Sequence, residues 1–181
     1  MKGFTPDNPE QLPEVIINGG ATHISQMGID LITHFEGFKL EAYLDSVNIP
    51  TIGIGSTFYA DGRKVKMGDK ITEEEAVKLF KAVLLKFEQR VLQKVKRPLK
   101  QHEFDAAVSF CYNAGTGYNS NGKFKDYSIW SNIQNRMPIT EIKPYWEGLA
   151  VTAGGNKLKG LVRRRKSEAW LYCYGELKFF E

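Results

Sequence analysis

Cysteine is scarce in this chain. Its 181 residues include Cys111 and Cys173 and no others, too few for a disulfide scaffold or a four-cysteine zinc site. Both are expected as reduced thiols, with Cys111 buried between Phe110 and Tyr112. Long apolar runs are also lacking. The longest near the N-terminus is Val15-Ile16-Ile17, so the sequence predicts no cleaved signal peptide, no anchor, no spanning helix, and a product made in the cytoplasm. The three histidines, His23, His34 and His102, are too scattered for paired metal ligation. Gly53-Ile54-Gly55 has no third glycine of a dinucleotide loop, and neither a Walker lysine loop nor a nucleophile elbow is present. There is no internal repeat and no low-complexity tract.

What is present is ordinary globular material: 42% hydrophobic and 25% charged residues, which excludes a disordered or collagen-like chain. A chain of this length buries ~70% of its unfolded surface and needs no covalent staple. The net charge of +4 is unevenly placed: residues 1–50 hold two bases against seven acids, and 61–100 hold twelve against six. Residues 157–181 hold seven bases against three acids. Such a balance fits either a polyanionic partner or solvated helix faces.

Residues 1–22 read as an arm, broken by Pro6, Pro9, Pro13, Gly19 and Gly20. A helix is expected from Ile24 to Glu36, with Ser25 as its cap and Gly37 as its stop. Glu36 would then lie at a helix C-terminus, where the dipole disfavours negative charge. Residues 43–67 read as strands and tight turns, with Asp61-Gly62 a hairpin signal. Thr72 and Glu75 form a capping box for a helix that runs to Pro98. Shorter helices are expected at 101–114, 126–136, 139–150 and 160–174. The organisation predicted is an arm (1–22) and one domain (23–181), comprising a small lobe (23–71), a bridging helix (72–97) and a helical lobe (98–181).

With those motifs absent, and Ser/His/Asp catalysis left open, the carboxylates are the candidates to weigh. Glu36 and Asp45 flank a helix-to-strand junction, and Thr51 follows at a strand start. Glycoside hydrolysis needs one acid kept protonated in a less polar site and a second group that handles water or steadies the cationic centre. Glu36, beside Phe35 and Phe38, suits the first role, and Asp45 with Thr51 suits the second; two solvated surface acids are the plain alternative.

The surrounding segment is more specific. Phe35-Glu36-Gly37, Tyr43-Leu44-Asp45 and Thr51-Ile52-Gly53-Ile54-Gly55 resemble the phage-type lysozymes, glycoside hydrolase family 24. Ile71 to Ala76, Phe104 to Gly117 and Gly160 to Arg165 agree in order, so the resemblance runs from about Ile24 to Tyr174. One departure is Ser56, where many members carry histidine; altered local hydrogen bonding is expected there, with catalysis kept.

The resemblance implies an α+β fold, with a small β-sheet lobe joined by a long helix to a helical lobe and a substrate cleft between lobes. It implies Glu36 as general acid, with Asp45 and Thr51 positioning the attacking water. Tyr43, Tyr112 and Asn113 become substrate-binding candidates, Asn113 being equally a helix C-cap before Gly115. The activity implied is an endolysin's hydrolysis of the β-1,4 bond between N-acetylmuramic acid and N-acetylglucosamine in peptidoglycan. It needs no metal or organic cofactor. The enzyme would act as a monomer, reach the wall through a holin-type membrane lesion, and bind no specific nucleic acid.

Arg163-Arg164-Arg165-Lys166 reads as a contact for the anionic bacterial envelope, with one arginine free to pair with Glu36 and the others facing solvent. Trp130, Trp146 and the aromatics from Trp170 to Phe180 are expected mainly as core. Two rivals remain: a lytic transglycosylase, against which Asp45 and Thr51 argue, and a non-catalytic module that binds peptidoglycan or another polyanion.

Overall fold

The computed structural model of the protein describes residues 19–45, 48–115, 128–153 and 155–181. The described chain forms two contact units. One is Lys39–Ala82; the other joins residues 19–38 to Val83–Glu181.

In the first unit, β1 (Lys39–Leu44) pairs antiparallel with β2 (Pro50–Gly53), Tyr43 opposite Thr51 and Leu44 opposite Pro50. Its small core is Ile52, Val65 and Leu79, with Ala42, Tyr59 and Ile71 packed against it. Strand structure is shorter than the sequence predicts. Past Gly53 the described residues of this unit add only isolated bridges: Ile52 with Ser56, Phe58 with Lys64 and Glu41 with Lys70. The turns explain this, because Gly53, Gly55 and Gly62 all have positive φ and fold the backbone back before a ladder can extend. Of Lys64-Val65-Lys66-Met67, only Val65 is buried, as its alternation implies.

Helix α2 (Glu73–Lys94) starts in this unit and ends in the other. Its capping box is formed: the Thr72 N–H donates to Glu75 Oε2 at 2.8 Å and the Glu75 N–H donates to Thr72 Oγ1 at 3.1 Å. The buried stripe Ala76, Leu79, Phe80, Leu84, Val91 follows helical spacing, with one charged member, Glu88. Glu88 has partners: its Oε1 accepts the Ile24 N–H at 2.8 Å, and Oε2 lies 3.1 Å from His23 Nδ1.

The second unit is helical. Its centre is α3 (Gln101–Ala114), buried continuously from Phe104 to Cys111. Around it pack α1 (Gln26–Glu36) and α6 (Lys159–Tyr174), and α5 (Ile139–Gly148) lies against α6 and the short α4 (Ile129–Gln134). The aromatic core forms where Phe110 meets Trp130 and Trp146 edge-on at 5.6 and 5.8 Å, and Trp146 meets Tyr172 at 5.0 Å. A minimal hairpin, β3 (Thr152–Ala153) with β4 (Asn156–Lys157), precedes α6, in the stretch between the helices expected at 139–150 and 160–174.

The architecture is α+β, as expected. Helix α1, expected in the small lobe, groups with the helical unit. Ser25 shows why. It makes no side-chain cap of its own helix; instead its N–H and hydroxyl donate to the two carboxylate oxygens of buried Asp105 on α3. Of the expected arm, residues 1–18 lie outside the described residues, while the Ala21 N–H donates to the Leu99 carbonyl at 3.0 Å.

Candidate active site

Glu36 is the last residue of α1. Gly37 follows at φ +80°, a conformation that favours glycine, and its N–H closes on the Thr33 carbonyl at 2.9 Å. Helix geometry therefore ends where the carboxylate begins. Glu36 Oε1 accepts a hydrogen bond from Arg164 Nη1 on α6.

Arg164 is itself buried, as is Arg165, and burying two adjacent guanidinium groups is costly unless anions answer them. Glu168, one turn further along α6, is that anion. It is 0% exposed. Its Oε1 accepts from Arg164 Nε at 3.1 Å and from the Ser109 hydroxyl at 2.7 Å. Its Oε2 accepts from Trp146 Nε1 at 3.3 Å and lies 3.2 Å from Arg165 Nη1. Arg165 Nη2 in turn donates to the Asn113 side-chain oxygen. A continuous chain thus runs Glu36, Arg164, Glu168, Arg165, Asn113. Of its two carboxylates only Glu36, with 28% of its side chain exposed, reaches solvent. Arg164 orients Glu36 while sharing its charge with Glu168, so the acid sits on a rigid, electrically answered mount.

Glu36 lines a cavity of about 500 Å³ with Phe35, Asn113, Arg163, Arg164 and Phe180. Tyr112 lies half-buried on α3 and packs edge-on against Phe87 at 5.1 Å.

Asp45, Thr51 and Tyr43 belong to the β1–β2 hairpin of the first unit, and Asp45 and Thr51 converge on Ile49. The Asp45 N–H donates to the Ile49 carbonyl at 3.0 Å, and Asp45 Oδ1 accepts the Ile49 N–H at 2.9 Å. The Thr51 hydroxyl donates to the same carbonyl at 3.0 Å. Its proton is thus committed, and toward a water Thr51 Oγ1 can act only as acceptor. Tyr43 stands opposite Thr51 in the register, with Lys39 Nζ 4.1 Å from its ring centroid.

Two expectations are corrected. Arg164 and Arg165 are buried, so the run Arg163 to Lys166 is not a surface patch; Arg163 alone is exposed and Lys166 is half-buried. The C-terminal aromatics are also not uniformly core: Tyr172 is buried, Trp170 is half-buried, and Tyr174 and Phe179 are exposed. Glu168, Ser109 and Trp146 were missed as site-supporting residues. The signal for Glu168 was its spacing of three and four from Arg165 and Arg164 on one helix.

Residues 33–168 match the phage lysozyme family. The endolysin of Bacillus phage B103 is 35% identical over 158 residues, covering 86% of this chain and 56% of its own length. The endolysin of Salmonella phage P22 is 41% identical over 92 residues, covering 51% of this chain and 63% of its own. The chain therefore spans less than two thirds of these curated relatives. Among solved structures, the endolysin of Escherichia coli O157:H7 phage FAHEc1 is similar with a TM-score of 0.72 and 37% identity, over 88% of this chain and 98% of that one. The matched span includes Glu36, Asp45, Thr51 and the buried pair Arg164 and Glu168, and the chain belongs to the phage lysozyme family.

Proposed function

We propose that the protein is an endolysin that hydrolyses the β-1,4 bond between N-acetylmuramic acid and N-acetylglucosamine in peptidoglycan. The observation that carries this reading is Glu36, the solvent-reaching carboxyl at the end of a buried Arg–Glu–Arg network. Glu36 protonates the leaving glycosidic oxygen, and Arg164 holds it in the orientation that transfer requires. Asp45 takes a proton from the attacking water, and Thr51 Oγ1 accepts the water's other hydrogen and fixes its approach. Two carboxyls and a hydroxyl suffice for this chemistry, without metal or organic cofactor. Tyr43 and Tyr112 contribute to holding the glycan. Asn113 does so through whatever hydrogen-bonding capacity Arg165 leaves it. Passage from the cytoplasm through a holin-type lesion belongs to the same proposal.

The test is clearing of purified peptidoglycan by the wild type and by Glu36→Gln, with mass analysis of the products. The substitution keeps shape and removes the transferable proton, so the rate should fall about 10²–10⁴-fold with the thermal midpoint retained. Products carrying hydrated muramic ends support hydrolysis. Anhydro ends would move the enzyme to the transglycosylases, and clearing that survives the substitution would remove Glu36 from the role of acid.

A further inference from the structure

The family match stops at residue 168, yet the chain continues to Glu181 and returns to the Glu36 cavity. The return is held by ring contacts. Phe179 stacks on His34 of α1 with centroids 3.8 Å apart and meets Phe35 edge-on at 6.3 Å. Lys178 Nζ lies 4.5 Å from the Trp170 ring centroid and 5.2 Å from that of Phe180, and Trp170 itself meets Phe180 at 5.8 Å. Together these contacts pin residues 178–180 across α1 and α6 and set Phe180 into the wall of the cavity.

The same wall carries Arg163. Its neighbours Arg164 and Arg165 are consumed by Glu36, Glu168 and Asn113, whereas Arg163 is exposed and its side chain makes no hydrogen bond, ion pair or ring contact among the described residues. The cavity therefore presents one uncommitted guanidinium, Arg163, and the apolar rings of Phe35 and Phe180 beside the carboxyl that would act on the glycan. Its volume lies within the about 300–1,000 Å³ usual for small-ligand sites.

We infer that Arg163 and the pinned tail form a binding wall for the carboxylate-bearing substituent of muramic acid, with Arg163 taking the carboxylate and Phe180 covering the aliphatic part of a stem peptide. This rests on the peptidoglycan reading above and adds which part of that polymer the enzyme grips. A planar guanidinium matches a carboxylate in two-pronged fashion, which suits selection of an acidic peptide over a neutral sugar. The lactyl group of an unsubstituted muramic acid offers the same chemistry and is separated from the peptide by the experiment.

The test uses the full chain in a Glu36→Gln background, so that binding is read without turnover. Affinity is measured by titration calorimetry for three soluble glycans: stem-bearing strands, amidase-stripped strands that expose the lactyl carboxylate, and chitooligosaccharides that carry none. Adding Arg163→Gln should weaken binding to stem-bearing strands about three- to tenfold more than to chitooligosaccharides. Phe180→Ala should show the same preference. A selective loss on stripped strands alone would assign the carboxylate to the lactyl group. An equal loss on all three glycans, or none, would overturn the inference. The comparison holds even if the wild type hydrolyses nothing, in which case the catalytic reading fails and the binding result still decides this one.

Discussion

Glu168 governs the site at the scale of single residues without facing any substrate. Four groups converge on its two oxygens, and two of them are buried arginines. Removing the anion from such a cluster leaves buried Arg165 with no carboxylate and buried Arg164 with Glu36 alone, a change that costs about 3–5 kcal/mol. Glu168→Ala should therefore lower unfolding free energy by that amount in urea titrations. Glu41 makes the contrasting case. It pairs with Lys70 at 2.5 Å, but both side chains are about 70% exposed, and water already screens them. Glu41→Ala should move the same measurement by under ~0.5 kcal/mol. Equal effects at the two positions would contradict the account of the buried network, and with it the account of how Glu36 is mounted.

Among the elements, the packing of α1 on α3 sets where Glu36 stands. Gly28 sits at that contact, where an added Cβ would fall 2.5 Å from Ile24 Cγ1 and 2.9 Å from Asp105 Cβ. The Ile24 atoms can rotate away, but Asp105 Cβ is fixed by its backbone and by the hydrogen bonds its carboxylate accepts from Ser25. Two effects oppose each other in Gly28→Ala. Helix propensity gains up to about 1 kcal/mol, and overpacking costs about 1–3 kcal/mol. The packing cost wins, so a net loss of stability of about 1–2 kcal/mol is expected by chemical denaturation, together with reduced activity as α1 shifts. A more stable, fully active Gly28→Ala protein would show that the helix pair tolerates separation.

For the molecule as a whole, stability depends on protons that burial retains. Burial pushes the Cys111 thiol up to about 12 and the Cys173 thiol up to about 11, and burial followed by the nearby Glu103 charge raises Tyr172 to about 12. In the unfolded chain thiols release their protons near pH 8.5 and tyrosines near pH 10 (about). Between those values and the raised ones the folded protein holds more protons than the unfolded chain. Stability must then fall as pH rises from about 8.5 toward 11. Thermal midpoints measured from pH 7 to 10.5 should decline over that window, and less so for Cys111→Ala/Cys173→Ala. A midpoint flat to pH 10.5 would contradict the burial of these groups.

Much was legible in the sequence because it is local. Helix α3 falls at the expected residues because its periodicity and its Gly115 stop lie within the segment, and Thr72 with Glu75 cap α2 because both partners lie within four residues. Glu36, Asp45 and Thr51 could be singled out from their spacing and from a family resemblance that the comparisons bear out at the level of the family. What sequence could not decide depends on partners far along the chain. One arginine of the run 163–165 is expected to pair with Glu36, but which one, and that its neighbour Arg165 is also buried, emerges only when Glu36, 128 residues away, and Asn113, 52 residues away, are brought to Arg164 and Arg165. Ser25 reads as the cap of its own helix until Asp105 arrives from α3, and the tail reads as plain core until His34 stacks on Phe179. Capping and periodicity are settled by neighbours a few bonds away, whereas the fate of a charge depends on which distant groups share its low-dielectric surroundings, and only the tertiary structure decides that.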